Sequence, residues 1–208
     1  MRDTIYFLAF DGFADWQAAL ALCEIRRPGD WCVRTVGLSM APVVSMGGLV
    51  VQPDVSLAQT DVARVDVNRA AMLIVPGGHL WLRGEGEDAV EVIRQVHAAG
   101  APVAAIDSGV LALARAGLLD DCRHTGNWPG QIGNQVGSYA GEAHYDASVL
   151  AVRAGRVITA NHLGSVEFAR EIIETLHLYS PSDRDHWYRL FKYAQLPPWC
   201  VRDAVAAA

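Results

Sequence analysis

Cysteine is scarce in these 208 residues and forms no pattern: Cys23, Cys32, Cys122 and Cys200 are scattered, with no Cys-x-x-Cys pair and no accompanying histidine cluster. That excludes a disulfide framework and a zinc site, and no metal or other cofactor is expected. Cys23 falls in a helical apolar pattern and Cys32 in a strand pattern, which predicts two small core residues. Positive charge is also short. With 17 basic against 23 acidic residues, a net of −6, there is no basic field for nucleic acid and no Lys/Arg cluster for anionic lipid, so neither nucleic acid nor membrane is an expected partner. No apolar run reaches spanning length, and the chain enters a strand pattern at Thr4 without a basic leader or small-residue cleavage site, so a cytoplasmic protein is expected. Repeats and low-complexity linkers are missing apart from an alanine tail at 206–208.

What is present is enough hydrophobic residue, about half the chain, to fill one α/β core, and a single domain over 1–208 is expected. Strand patterns fall at 4–10, 31–38, 71–75, 102–106, 148–152 and 156–160, and helical ones near 13–25, 87–99, 108–117 and 164–178. Such alternation predicts an α/β sandwich with a largely parallel sheet and helices on both faces. In the helix at 87–99, Val90, Ile93 and Val96 follow helical spacing, and His97 reads as a cation favoured at a helix C-terminus. Residues 126–141, rich in Gly, Asn and Gln, read as a long surface loop or lid. Trp187, Tyr188, Leu190, Phe191 and Tyr193 suggest a closing helix at about 183–195 that packs on the body.

The most informative segment is 103–119, where an apolar strand pattern ends abruptly at Asp107 and Ser108-Gly109 lead into a helix carrying Val110, Leu111, Leu113 and Ala114. Many α/β enzymes hold a nucleophile at such a turn, and the helix start favours an anion there. An ordinary Asp N-cap is the competing reading.

This segment, together with Asp11-Gly12-Phe13-Ala14-Asp15-Trp16, Ile74-Val75-Pro76-Gly77-Gly78, Arg123-His124-Thr125-Gly126-Asn127, Val157-Ile158-Thr159-Ala160-Asn161, Glu167-Phe168-Ala169 and Trp187-Tyr188-Arg189, resembles the ThiJ/PfpI superfamily. The resemblance runs nearly end to end and implies a class I glutamine amidotransferase-like, flavodoxin-like fold and, by analogy, a homodimer. It also implies an oxyanion hole from the backbone N–H groups of Gly77, in the Gly77-Gly78 turn, and of Ser108.

Three positions depart from the family pattern. The elbow residue, usually cysteine, is Asp107; its usual Glu partner is Gln17; and a loop usually rich in glycine carries His162. The first two changes fit together, because two carboxylates in one shielded site cannot both ionise cheaply, whereas an amide donates a hydrogen bond without adding charge. His162 is read as an acid/base partner of Asp107, against a loop histidine that only packs. Asn127 corresponds to a position that some relatives fill with a catalytic histidine. His79, Trp16, Trp81 and Trp128 are candidate pocket residues, although large aromatics more often belong to the core. His124 and His144 are weaker candidates.

The leading expectation is a small-molecule enzyme using Asp107 as general base or nucleophile, in a hydration, dehydration, isomerisation or hydrolysis of a carbonyl-related substrate. The alternatives are a glyoxalase- or deglycase-type stress protein, against which the missing elbow thiol argues, and a non-catalytic metabolite-binding relative.

Overall fold

The computed structural model describes residues 3–58 and 65–198. Strands β1 (Thr4–Leu8), β2 (Cys32–Gly37), β5 (Val55–Ser56), β6 (Ala70–Val75), β7 (Val103–Ile106), β8 (Ala151–Ala154) and β9 (Val157–Ala160) form one sheet in the order β5-β2-β1-β6-β7-β9-β8. All neighbours are parallel except β8, which returns antiparallel to β9 through a turn at Gly155 with φ 59°. β3 (Val43–Val44) and β4 (Val50–Val51) make a separate antiparallel hairpin. The central strands are predominantly apolar because they are covered on both faces: β1, β6, β7 and β9 are buried throughout.

The helices are α1 (Asp15–Arg26), α2 (His79–Leu82), α3 (Glu87–Ala98), α4 (Gly109–Arg115), α5 (Gln131–Gln135), α6 (Ser165–Thr175) and α7 (Pro181–Tyr193). From β1 the chain moves outward through α1 to β2; from β6 it moves the other way through α3 to β7. Right-handed crossovers in opposite directions put α1 and α3 on opposite faces. The packing agrees: α1 lies against α6, which also holds α7, while α3 lies against α4. The order reverses between β1 and β6, and in an open sheet of this kind ligands bind beyond the carboxyl ends of the strands at that point.

Several expectations change. Cys23 and Cys32 are exposed, because the buried stripe of α1 runs through Ala18, Ala21 and Ile25 and the outer part of β2 is open on one side. His97 is pushed below its ordinary pKa by burial and by Arg156, which disfavours the helix-end cation expected there. Residues 126–141 are no free lid: they contain α5, with Gln131, Ile132 and Val136 buried. Of the aromatic closing segment only Trp187 is buried, and Phe191 and Tyr193 are exposed. Cys200 lies outside the described residues.

Candidate functional site

Three strand ends build the site. Gln17 stands in the first turns of α1 after β1, Gly77 follows β6, and Asp107 follows β7. The turns are tied to one another: Ala14 N–H donates to the Gly77 carbonyl at 2.9 Å, and Phe13 bridges Gly78. The Asp107 N–H donates to the Ala160 carbonyl at 2.9 Å, which holds the elbow against β9.

Asp107 has φ 60°, the left-handed region that a non-glycine residue rarely enters, so the strand-to-helix turn is sharp and carries backbone strain. It is not an ordinary N-cap. The flanking residue of α4 is Ser108, and the Asp107 carboxylate turns away from the helix toward two side-chain amides. Gln17 Nε2 donates to Oδ2 at 2.7 Å, and Asn127 Nδ2 donates to Oδ1 at 2.5 Å. Asp107 is half-buried and Gln17 is fully buried, so Gln17 is no solvated residue of the helix surface.

Close packing explains the glycines here. A Cβ at Gly77 would lie 2.5 Å from Asp107 Oδ2, and one at Gly109 would lie 2.6 Å from the Val75 carbonyl. Any side chain at either position would push the carboxylate or the elbow helix out of place.

The predicted oxyanion hole is only partly open. Gly77 N–H donates to Gln17 Oε1 at 2.7 Å, and Gly78 N–H donates to Ser108 Oγ at 2.9 Å, so both glycine donors are engaged. The Ser108 N–H has no acceptor among the described residues. Gln17 therefore does more than face Asp107: its two ends join the carboxylate to the Gly77 turn. The Ser108 hydroxyl, which also donates to the Gly78 carbonyl at 3.1 Å, was not singled out by sequence reasoning.

His162 does not touch Asp107. It is exposed, and its backbone N–H donates to Asn127 Oδ1 at 3.0 Å, with Nδ1 3.1 Å from the same oxygen. Since Asn127 aims its NH₂ at a carboxylate, the oxygen faces His162; Nδ1 carries the proton and Nε2 keeps the free lone pair in the neutral ring. The reason for the separation is spatial: Asn127, already a candidate by resemblance, stands between them.

Asn127 is itself held by a buried network. Thr125 N–H donates to Thr159 Oγ1 at 2.8 Å. His124, fully buried, has Nδ1 2.8 Å from the Cys122 carbonyl and Nε2 2.7 Å from Tyr139 Oη. A carbonyl can only accept, so Nδ1–H donates and the Tyr139 hydroxyl donates to Nε2. Burial pushes the His124 pKa down and that of Tyr139 up to about 12. His144, by contrast, is exposed.

The pocket candidates separate. Trp81 is core: it is 1% exposed, packs edge-on against Phe10 and donates from Nε1 to the Pro76 carbonyl at 2.8 Å. His79 opens α2 and is exposed. Trp16 and Trp128 are exposed next to Gln17 and Asn127. Four cavities of 350–370 Å³ lie along α7, α6 and the β8 edge or beside Trp31, and none of these four is lined by Asp107 or by the residues that hold it. Among the described residues no group of three or more His, Cys, Asp or Glu could hold a metal ion, and no helix is long and apolar enough to cross a membrane.

Comparison with known proteins agrees with this architecture. The sequence model of the DJ-1/PfpI family matches residues 3–175. A Bacillus subtilis protein named uncharacterized protease YoaZ is 29% identical over 199 residues, 90% of each chain. A DJ-1 superfamily protein from Agrobacterium tumefaciens superposes with a TM-score of 0.82 at 30% identity, over 93% of this chain and 100% of that one. A thiJ/pfpI family protein from Bacillus anthracis gives a TM-score of 0.82 at 28% identity, over 94% and 93% of the two chains. The chain belongs to the DJ-1/PfpI family.

Proposed function

We propose that the protein is a small-molecule enzyme in which Asp107 is a general base, taking a proton from water or from a carbon beside a carbonyl in a hydration, dehydration, isomerisation or hydrolysis. The observation that carries this reading is the pairing of Asp107 with Gln17 and Asn127. Each carboxylate oxygen accepts one amide N–H and keeps a lone pair directed elsewhere, where a proton can be taken up. Covalent acyl transfer relies on donors aimed at a developing oxyanion, and Gln17 already engages the Gly77 N–H. Abstraction beside a carbonyl also builds charge on the carbonyl oxygen, as does attack by an activated water, and the Ser108 N–H is the donor left to receive it. His162, whose Nε2 keeps a lone pair at the rim, is suited to pick up a proton from solvent and deliver it to the substrate, while Asp107 releases the proton it took to water. No cysteine stands at the elbow, which counts against thiol chemistry of the glyoxalase type. A cytoplasmic homodimer acting on a small molecule is the working assembly of this reading, carried by the family likeness.

The test is Asp107→Asn, nearly isosteric and uncharged, assayed with a panel of small aldehydes, ketones, esters and amides. Loss of turnover by roughly 10²–10⁴-fold in a folded variant is the expected result. Wild-type turnover by that variant contradicts it. Intact-protein mass during wild-type turnover should stay unchanged; a covalent adduct on Asp107 would make it the nucleophile.

A further inference from the structure

We infer that a second binding site, between the C-terminal end of α1 and α7 and apart from Asp107, takes a neutral hydroxylated aromatic molecule. A cavity of about 360 Å³ lies there, within the roughly 300–1,000 Å³ usual for small-molecule sites. Glu24, Tyr179, Trp187, Leu190, Phe191 and Leu196 all line it, so these side chains share one concave surface.

The walls are the first ground. Phe191 and Leu196 are 42% and 61% exposed, and both belong to this one hollow instead of being scattered singly over the surface. The Trp187 and Phe191 rings lie 4.9 Å apart at 36°, an aromatic wall on which a flat guest packs.

Charge is the second ground. Glu24 is 3% exposed, an unusual place for a carboxylate; its Oε2 accepts the Tyr179 hydroxyl at 2.6 Å and its Oε1 accepts an Arg27 N–H at 3.0 Å. Each oxygen keeps a further lone pair. Arg27 already supplies the counter-charge, so the carboxylate has room for a neutral donor and no call for a cation. Burial and Glu24 push the Tyr179 pKa up to about 12, which keeps that hydroxyl protonated and donating.

The third ground is an unpaired donor. Trp187 is 8% exposed, and its indole N–H is buried without an acceptor among the described residues. A buried donor of this kind bears its full desolvation cost until an oxygen reaches it. The N–H is shielded at its own surface, so the guest meets it through a turn of the indole, a side-chain change common on binding. A hydroxyl is the smallest neutral group that both donates to a carboxylate and accepts from an indole N–H.

2-Naphthol at neutral pH is the probe. The controls are 2-methoxynaphthalene, which keeps the rings and the acceptor but not the donor, and anionic 2-naphthoate. Binding is measured by equilibrium dialysis against the wild-type protein and against Leu196→Asp, Trp187→Phe and Asp107→Asn, each checked for folding by circular dichroism. Leu196 is exposed, so its variant alters the wall without disturbing the core. 2-Naphthol should bind the wild type at least about tenfold more tightly than either control, and should lose at least about tenfold in Leu196→Asp and about fivefold in Trp187→Phe, with Asp107→Asn unchanged. Equal binding of the methyl ether or of naphthoate, affinity indifferent to Leu196→Asp or to Trp187→Phe, or no saturable binding overturns the inference. Binding lost in Asp107→Asn puts the guest at the elbow and overturns it as well.

Discussion

Gln17 Nε2 lies 2.7 Å from Asp107 Oδ2, across 90 residues of sequence, and the same amide accepts the Gly77 N–H at 2.7 Å through its other end. The orientation of the amide is therefore fixed from both sides: its NH₂ must face the carboxylate because a carboxylate only accepts, and its oxygen must face the backbone donor. A glutamate here would place an acceptor against an acceptor unless one of the two carboxyls held a proton. The neutral amide lets Asp107 remain an anion, and that makes the paired change from the family pattern chemically coherent.

Gly77→Ala should separate packing from chemistry. The added Cβ would lie 2.5 Å from Asp107 Oδ2 and 2.9 Å from Cγ, so the carboxylate must move off its amide partners. The expected outcome is a stability loss of about 1–3 kcal/mol by urea unfolding, the usual scale of overpacking, and a turnover loss on the order of 10²-fold from misplacing a catalytic group by roughly 1 Å. Full turnover in this variant would mean that the position of the carboxylate does not matter.

The sheet was legible because β6 and β7 are unbroken apolar runs and β1 and β9 are broken only by Thr4 and Thr159, themselves good strand formers. The hairpin of β3 and β4 was missed, although Val43-Val44 and Val50-Val51 flank a Gly47-Gly48 turn, because each strand is too short to carry a period. Asp107 and Gln17 were legible through resemblance and charge logic. Two features could not be read: that the Gly77 N–H is spent on Gln17, and that Asn127 comes between Asp107 and His162. Both depend on which of several donors and acceptors meet in three dimensions, and residue order does not encode that choice. Trp81 and the two exposed cysteines failed for a related reason, since one apolar residue in a periodic run does not reveal which side of its element meets the core.

Thiol modification should leave turnover intact. Cys23 and Cys32 are exposed, while Cys122 donates to the Leu118 carbonyl at 3.1 Å and is pushed to a higher pKa by burial and by Asp121 and Asp120. Iodoacetamide should alkylate Cys23 and Cys32 before Cys122, as read by peptide mapping, with activity retained. Activity that disappears in step with alkylation of any one cysteine would restore a thiol mechanism.

Acid should loosen the network behind Asn127. Burial depresses the pKa of His124 below the ordinary 6.5, and that of His97 likewise, so the unfolded chain binds more protons than the folded one as the pH falls. The contribution of each neutral ring to stability is present above pH 6.5 and is lost as the pH drops through the folded-state value. Urea unfolding midpoints should fall between about pH 7.5 and about pH 5, and His124→Gln should flatten part of that slope. A slope unchanged in His124→Gln would show that this ring does not titrate with unfolding.

The most direct measurement of the central claim is the pH profile of turnover for Gln17→Glu beside that of the wild type. The substitution puts a second carboxyl 2.7 Å from Asp107 Oδ2 if the side chain keeps its place, and like-charge coupling should raise the pKa of the pair by up to a few units. A shared proton then blocks Asp107 as a base. The account predicts slower turnover at neutral pH, a rate deficit larger at about pH 6 than at about pH 8, and partial recovery as the proton leaves. Superimposable profiles for the two proteins would show that residue 17 does not govern the charge of Asp107, and would contradict the account.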